Sequence, residues 1–232
     1  MSKLEEFVAD IQSYHYLAFP VADYSDAVIQ HRHCYSVAFS KSRRMAIWCA
    51  YCVTLRDILG ANVLDRNFHR ELDEELTPSE YQSSGYDMGH LCPLASYRGN
   101  LEAAETNAMT NIIPQSPDLN RGPWLKLENK VRDISENNHE CWVVALPVWE
   151  KQKGPKIGEV RVPDAIGKVI CWFDEFKNMH LSAYLLPQSA GRKDDPQQYL
   201  TTLENLVELT GVRPFGHTLP VKQLTKKRRS AK

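Results

Sequence analysis

The residues of this chain best suited to chemistry gather in its middle third. The segment Ser84-Gly-Tyr-Asp-Met-Gly-His-Leu-Cys-Pro-Leu-Ala-Ser96 sets Asp87 and His90 three residues apart around Gly89. A histidine held by a neighbouring carboxylate or carbonyl is a suitable general base near neutral pH, because its reference pKa is about 6.5. Alone, such a tetrapeptide fits a structural histidine in a strand equally well. Further on, Asn120, Trp124, Glu128 and Arg132 follow one another at spacings of four, which drifts only slowly around a helix. An amide at the helix entrance, a carboxylate and a guanidinium therefore share one edge. An amide oxygen backed by a nearby carboxylate suits hydrated Mg²⁺, which keeps several waters and needs few protein ligands. A capped helix carrying an ordinary Glu–Arg pair would show the same spacing.

Several elements must position these groups. Cys34 to Phe39 and Met45 to Leu55 read as two strands around the basic turn Ser40-Lys-Ser-Arg-Arg44. Residues 57 to 85, with Glu71-Leu-Asp-Glu-Glu75 and the Pro78-Ser79 punctuation, read mostly as loop. Asn111-Ile-Ile-Pro-Gln115 is a short apolar strand. The helix that follows runs to about Asn137 and buries Trp124, Leu127, Val131 and Ile134. Cys141 to Val148, Val169 to Phe173 and His180 to Leu186 are further strands, the first two divided by the Gly- and Pro-bearing stretch 151–163. Leu4, Phe7, Val8, Ile11 and Tyr14 suggest a short helix face near the start. Asp195 as N-cap, Pro196 at the first position and Gly211 at the exit predict one carboxy-terminal helix with a Tyr199, Leu203, Leu206 and Val207 stripe.

Composition bounds the reading. With 232 residues, 43% hydrophobic and 25% charged, the chain is an ordinary globular protein that can bury about two thirds of its unfolded surface. Twenty-eight Lys and Arg against 29 Asp and Glu give a net charge of −1, which excludes a polybasic coat held to nucleic acid by bulk charge. It leaves room for an enzyme whose cations (Arg66, Arg132, Arg98, Arg121) are confined to one cleft, with the acidic run 71–75 elsewhere. Six cysteines are too few for a disulfide scaffold. No apolar stretch approaches the roughly 20 residues of a membrane span, and a charged start carries no secretory signal, so the expectation is a cytoplasmic protein without membrane contact. One domain over 1–225 is expected, followed by a basic tail at 226–232 that stays disordered.

The segment Tyr86 to Ser96 resembles the signature of the DNA/RNA non-specific endonucleases, the sugar-nonspecific branch of the ββα-metal (His-Me finger) nucleases, which reads Asp-Arg-Gly-His followed by Pro and Ala. The resemblance runs in order over most of the chain: Tyr35, Trp48, Arg66-Asn-Phe68, the signature, Asn111-Ile-Ile-Pro-Gln115, Asp118-Leu-Asn120, Trp124, Leu127-Glu128 and Arg132, then Val162-Pro163, Lys168-Val169 and Leu186-Pro187. His90, Asn120, Glu128 and Arg132 at increments of 30, 8 and 4 are its specific core. The resemblance implies an α+β fold with a central antiparallel sheet, a ββα-metal finger over about 86–138 and flanking helices. It implies that His90 is the general base, that Asn120 ligates a single Mg²⁺ (with Mn²⁺ as a substitute), and that Glu128 holds the metal's waters. Arg66 and Arg132 match guanidiniums near the scissile phosphate, Asn111 an amide that shapes the site, and Asp87 the signature carboxylate that orients the loop. The implied reaction is cleavage of DNA and RNA with little sequence preference, leaving 5′-phosphate ends. Homodimers are known in the family, and restraint of such an enzyme inside a cell calls for an inhibitor or other regulatory partner.

Departures matter too. Met88 stands where the signature has arginine, and it can neither carry charge nor donate a hydrogen bond to substrate. That substitution motivates a second function class, an attenuated homologue that binds nucleic acid or a protein without cutting. Leu146-Pro147 replaces an expected Gly-Pro and should reshape a wall. Cys49 and Cys52 form a CxxC, but in a strand they face opposite sides and cannot share a metal. His31 and His33 read as surface residues rather than as a metal pair.

Overall fold

The computed structural model describes residues 20–23, 25–62, 64–150 and 153–215. The apolar face at Leu4 to Tyr14 and the basic tail lie outside them. The strands are β1 (Ala27–His31), β2 (Ser36–Ser40), β3 (Met45–Thr54), β4 (Asp87–His90), β5 (Ile112–Gln115), β6 (Glu140–Val148), β7 (Lys156–Ile157), β8 (Val160–Arg161), β9 (Ala165–Phe173), β10 (Met179–Pro187) and β11 (Leu200–Thr201). Two helices among the described residues reach two turns or more, α1 (Leu125–Asn138) and α2 (Leu203–Thr210). The main sheet is antiparallel in the order β1-β2-β3-β6-β9-β10-β11. The fold is therefore α+β around a central antiparallel sheet, as expected.

The middle strands are apolar on both sides because both faces of the sheet are covered. In β3, Cys49, Tyr51 and Val53 enter one cluster with Trp124, Leu127, Val131 and Ile113, while Trp48, Ala50 and Cys52 enter the other with Leu206, Val169 and Leu181. Strand alternation thus sends Cys49 and Cys52 to opposite faces, and all six thiols are free and buried. Each large side chain sunk in this way contributes about 1.5–3 kcal/mol. Helix α1 docks on the first face through Trp124, Leu127 and Val131, with Ile134 only partly covered.

The run from 57 to 85 is mostly loop, but it carries two one-turn helices, Leu55–Ile58 and Pro78–Tyr81. Both are closed by reciprocal capping, Thr54 with Asp57 and Thr77 with Glu80. The acidic run beside it is not a solvated stretch: Glu71 pairs with Arg32, Glu74 with Lys41 at 3.3 Å, and Glu75 is fully buried. Residues 27–31, to which the sequence assigned no element, form edge strand β1, whose five residues pair with β2. The stretch 151–163 carries the small β7–β8 hairpin.

One expectation fails. The single helix from Asp195 to Gly211 is broken: Asp195 caps only the 3₁₀ turn Pro196–Tyr199, Leu200 and Thr201 then pair with Tyr184 and Ala183 of β10, and α2 starts anew with Thr202 accepting from the Asn205 N–H at 3.1 Å. Pairing to the sheet edge outweighs helical periodicity here. Gly211 does end the helix, in the left-handed conformation at φ 69°. No helix among the described residues is long and apolar enough to cross a membrane.

Candidate active site

β4 and β5 form a separate antiparallel pair, with Asp87 opposite Gln115 and His90 opposite Ile112, and α1 follows to complete a ββα unit. Gly89 is required in this pair, because a Cβ there would fall 2.3 Å from Cδ of Gln115. The residues at spacings of four are joined to the signature segment one by one. Asn120 Nδ2 donates to Asp87 Oδ2 at 2.9 Å, Trp124 Nε1 to the His90 carbonyl at 3.1 Å, and Arg132 Nη1 to Ser96 Oγ at 3.2 Å. Glu128 lies on the same edge, half-buried, between Trp124 and Arg132.

The state of His90 follows from its partner. Asn107 is buried, and its Nδ2 donates to the Asp65 carbonyl at 2.7 Å, so its Oδ1 must be the atom 3.0 Å from His90 Nε2. An amide oxygen only accepts, so Nε2 carries the proton and Nδ1 keeps its lone pair. Burial lowers the His90 pKa, partly opposed by the Asn107 hydrogen bond, which keeps the ring neutral at neutral pH. The Phe68 ring packs on it with centroids 5.5 Å apart. A neutral imidazole with a fixed tautomer is the form a general base requires.

Asn120 is fixed in the same way. Its nitrogen is committed to Asp87, so its Oδ1 is left as the outward atom. It makes no hydrogen bond among the described residues. Burial raises the Glu128 pKa, against the cations Lys168 and Arg132. Lys168 is fully buried in the middle of β9, its Nζ 3.7 Å from the centre of the Trp124 ring. Burial pushes the Lys168 pKa down to about 8. One amide oxygen and one carboxylate make a hard, all-oxygen donor set, which fits Mg²⁺ or Mn²⁺ and not a soft metal.

The other expected site residues differ in their surroundings. Arg66 is exposed, beside Asp65 and two residues before Phe68. Arg132 is half-buried and also donates to Asn129. Asn111 is fully buried: its Oδ1 accepts from the Cys92 N–H at 2.9 Å, and its Nδ2 donates to the carbonyls of Cys92 and Thr106 at 2.8 Å each. It therefore shapes the loop after His90 from beneath. Met88 is half-buried and packs against the core. Arg121 reaches the site by pairing with Asp87, whereas Arg98 is exposed with no contact to this group among the described residues. Sequence reasoning missed Asn107, which sits in an aperiodic stretch. It also gave no role to Lys168, although a lysine inside an apolar strand was a visible anomaly.

A second group offers metal-ligating atoms. His33, Glu102 and Glu105 each present one within 4.8 Å of the others, and none of them belongs to the His90 edge.

The sequence model of the DNA/RNA non-specific endonuclease family matches residues 17–221. A nuclease of Nostoc sp. is 30% identical over 200 residues, covering 80% of this chain and 72% of the relative. A nuclease of Serratia marcescens is 27% identical over 192 residues, covering 78% and 72%. The mitochondrial endonuclease G of Homo sapiens is 24% identical over 204 residues, covering 80% and 69%. Among solved structures, a chain of the EndoG/EndoGI complex superposes with a TM-score of 0.73 at 22% identity, over 88% of this chain and 89% of that one. That likeness shows the fold.

Proposed function

The chain belongs to the DNA/RNA non-specific endonuclease family and is a hydrolytic endonuclease, and from that premise we propose that it hydrolyses phosphodiester bonds of DNA and RNA in a metal-dependent reaction with His90 as general base. The observation that carries this reading is the Asn107 amide, which leaves His90 Nδ1 unprotonated on the strand to which Asn120 and Trp124 are hydrogen-bonded.

His90 Nδ1 takes the proton of the attacking water as its oxygen bonds to phosphorus. The bond to the 3′ oxygen then breaks and that oxygen takes a proton from water, leaving a 3′-hydroxyl and a 5′-phosphate. Arg66 and Arg132 balance charge building on the phosphate oxygens, where guanidinium donors bind well. Asn120 Oδ1 would hold the cation directly and Glu128 would hold it through water; Asp87 keeps the Asn120 amide turned. A bound Mg²⁺ supplies charge neutralisation at the phosphate and stabilisation of the leaving oxygen. Contacts to phosphate and sugar rather than base edges give little sequence preference. Restraint by an inhibitor protein belongs to the same reading, since the solved EndoG relative was determined in complex with EndoGI.

Plasmid nicking with Mg²⁺, run beside His90→Ala, Asn120→Ala and an EDTA control, tests this. Wild type should nick and the three others should not. Nicking by His90→Ala at the wild-type rate refutes the base assignment, and nicking in EDTA refutes metal dependence.

A further inference from the structure

Arg121 is an exposed charged side chain at this edge that the reaction above leaves unused. It follows Asn120 directly, and both reach the same carboxylate. Asp87 Oδ2 accepts from Asn120 Nδ2 and from Arg121 Nε, each at 2.9 Å, while Oδ1 accepts from Arg121 Nη2 at 2.7 Å. Consecutive residues of a regular α-helix point about 100° apart and would not converge in this way. Here the two long side chains do converge on one carboxylate, immediately before the chain kinks at Gly122 (φ −117°, ψ −114°). Gly122 is needed there, since a Cβ would come 2.7 Å from the Arg192 backbone.

A role in packing does not account for Arg121. Its side chain is 55% exposed, against 18% for Asp87, and its only hydrogen bonds among the described residues go to Asp87. The two-pronged contact does something a single charge would not. It fixes the plane of the carboxylate and engages both oxygens. The remaining acceptor position on Oδ2 then faces Asn120 Nδ2. With Asp87 unpaired, the carboxylate could turn, and its free oxygens could draw a cation themselves.

We infer that Arg121 is a positioning residue for the cation site: by gripping Asp87 it keeps the Asn120 carboxamide turned with its oxygen outward. The inference rests on the proposed reading of Asn120 as the cation's ligand. Met88, packed on the core, brings no cation to this end of β4, so the guanidinium at Asp87 comes from Arg121 instead.

The test is Mn²⁺ binding to the full chain without nucleic acid, followed by electron paramagnetic resonance. Asn120→Ala is titrated in parallel, so that binding at other groups such as His33–Glu102–Glu105 is subtracted. Loss of an outer partner of a metal ligand weakens metal affinity by about 10–100-fold. Arg121→Gln should therefore weaken the Asn120-dependent binding by about tenfold. Arg121→Lys, which keeps the charge but loses the fork, should weaken it nearly as much. Asp87→Asn combined with Arg121→Gln should be no weaker than Asp87→Asn alone, because both act on one contact. Thermal unfolding checks that the exposed substitutions leave the fold intact. Wild-type binding that is unchanged within twofold in Arg121→Gln, full restoration by lysine, or additive losses in the double variant would each overturn the role of Arg121. Absence of Asn120-dependent binding in wild type would overturn the cation site itself, and this inference with it.

Discussion

Replacing Lys168 by methionine should make the protein more stable and the enzyme worse. The ammonium is fully buried in β9 with no hydrogen-bond partner for Nζ among the described residues; the Trp124 ring lies 3.7 Å away, and the Glu128 carboxyl attracts it without a hydrogen bond. Burial takes its pKa from 10.5 to about 8. At about 1.4 kcal/mol per pH unit, the buried charge costs the folded state about 3 kcal/mol. A desolvated cation–π contact returns about 2 kcal/mol, and methionine fills similar space without charge. The net expectation is a gain of about 1–2 kcal/mol for Lys168→Met at pH 7. The pH dependence has a definite sign. Below pH 8 both states of the wild type hold the proton and the cost is constant. Between 8 and 10.5 only the unfolded state holds it, so wild-type stability rises relative to the variant and the gain fades. Urea unfolding at pH 7 and pH 10 measures both. A variant less stable by more than about 1 kcal/mol at pH 7, or a difference identical at the two pH values, would refute the reasoning. Activity should fall in the same variant, because Lys168 is the leading cation holding the half-buried Glu128 carboxyl in its charged form.

Two other predictions concern the base. Asn107→Ala frees the His90 ring to rotate and to change tautomer, so kcat should drop by about a hundredfold with KM for DNA little changed; a loss under threefold in steady-state cleavage would refute the tautomer argument. Because burial holds the His90 pKa below 6.5, the acid limb of kcat/KM should fall at a lower pH than a free imidazole gives. A pH–rate profile with its acid limb above 6.5 would contradict that.

Much of the frame was legible in the sequence because it is set by local pattern. The apolar runs of β3 and β6 and the stripe Trp124, Leu127 and Val131 declare a sheet with buried faces and a helix packed on one of them. The break between Pro196 and Leu203 was not legible. Its helical spacing is intact, and what overrides it is the pairing of Leu200 and Thr201 with β10, a contact the local sequence does not encode. The candidate site divides along the same line. His90, Asn120, Glu128 and Arg132 stand out by residue type, order and spacing. Asn107 does not, because its orientation depends on the carbonyl of Asp65, 42 residues away. Arg121 was visible only as one basic residue among several, since its meaning lies in its contact with Asp87, 34 residues earlier in the chain.

Three asparagines show why amides recur at this site. A carboxamide has one donating end and one accepting end, so tying one end decides what the other offers. Asn107 spends its nitrogen on Asp65 and presents oxygen to His90, which fixes the proton on Nε2. Asn120 spends its nitrogen on Asp87 and is left with oxygen to present outward. Asn111 spends both ends on Cys92 and Thr106, and it offers nothing outward but holds the loop after the base. A carboxylate at 107 would pull the His90 pKa upward and leave the base charged in the range where it must accept a proton. A carboxylate at 120 would set two like charges against each other across Asp87. Neutral amides supply direction without charge, and the charges that remain, on Asp87, Arg121, Glu128, Arg132 and Lys168, are left to balance one another.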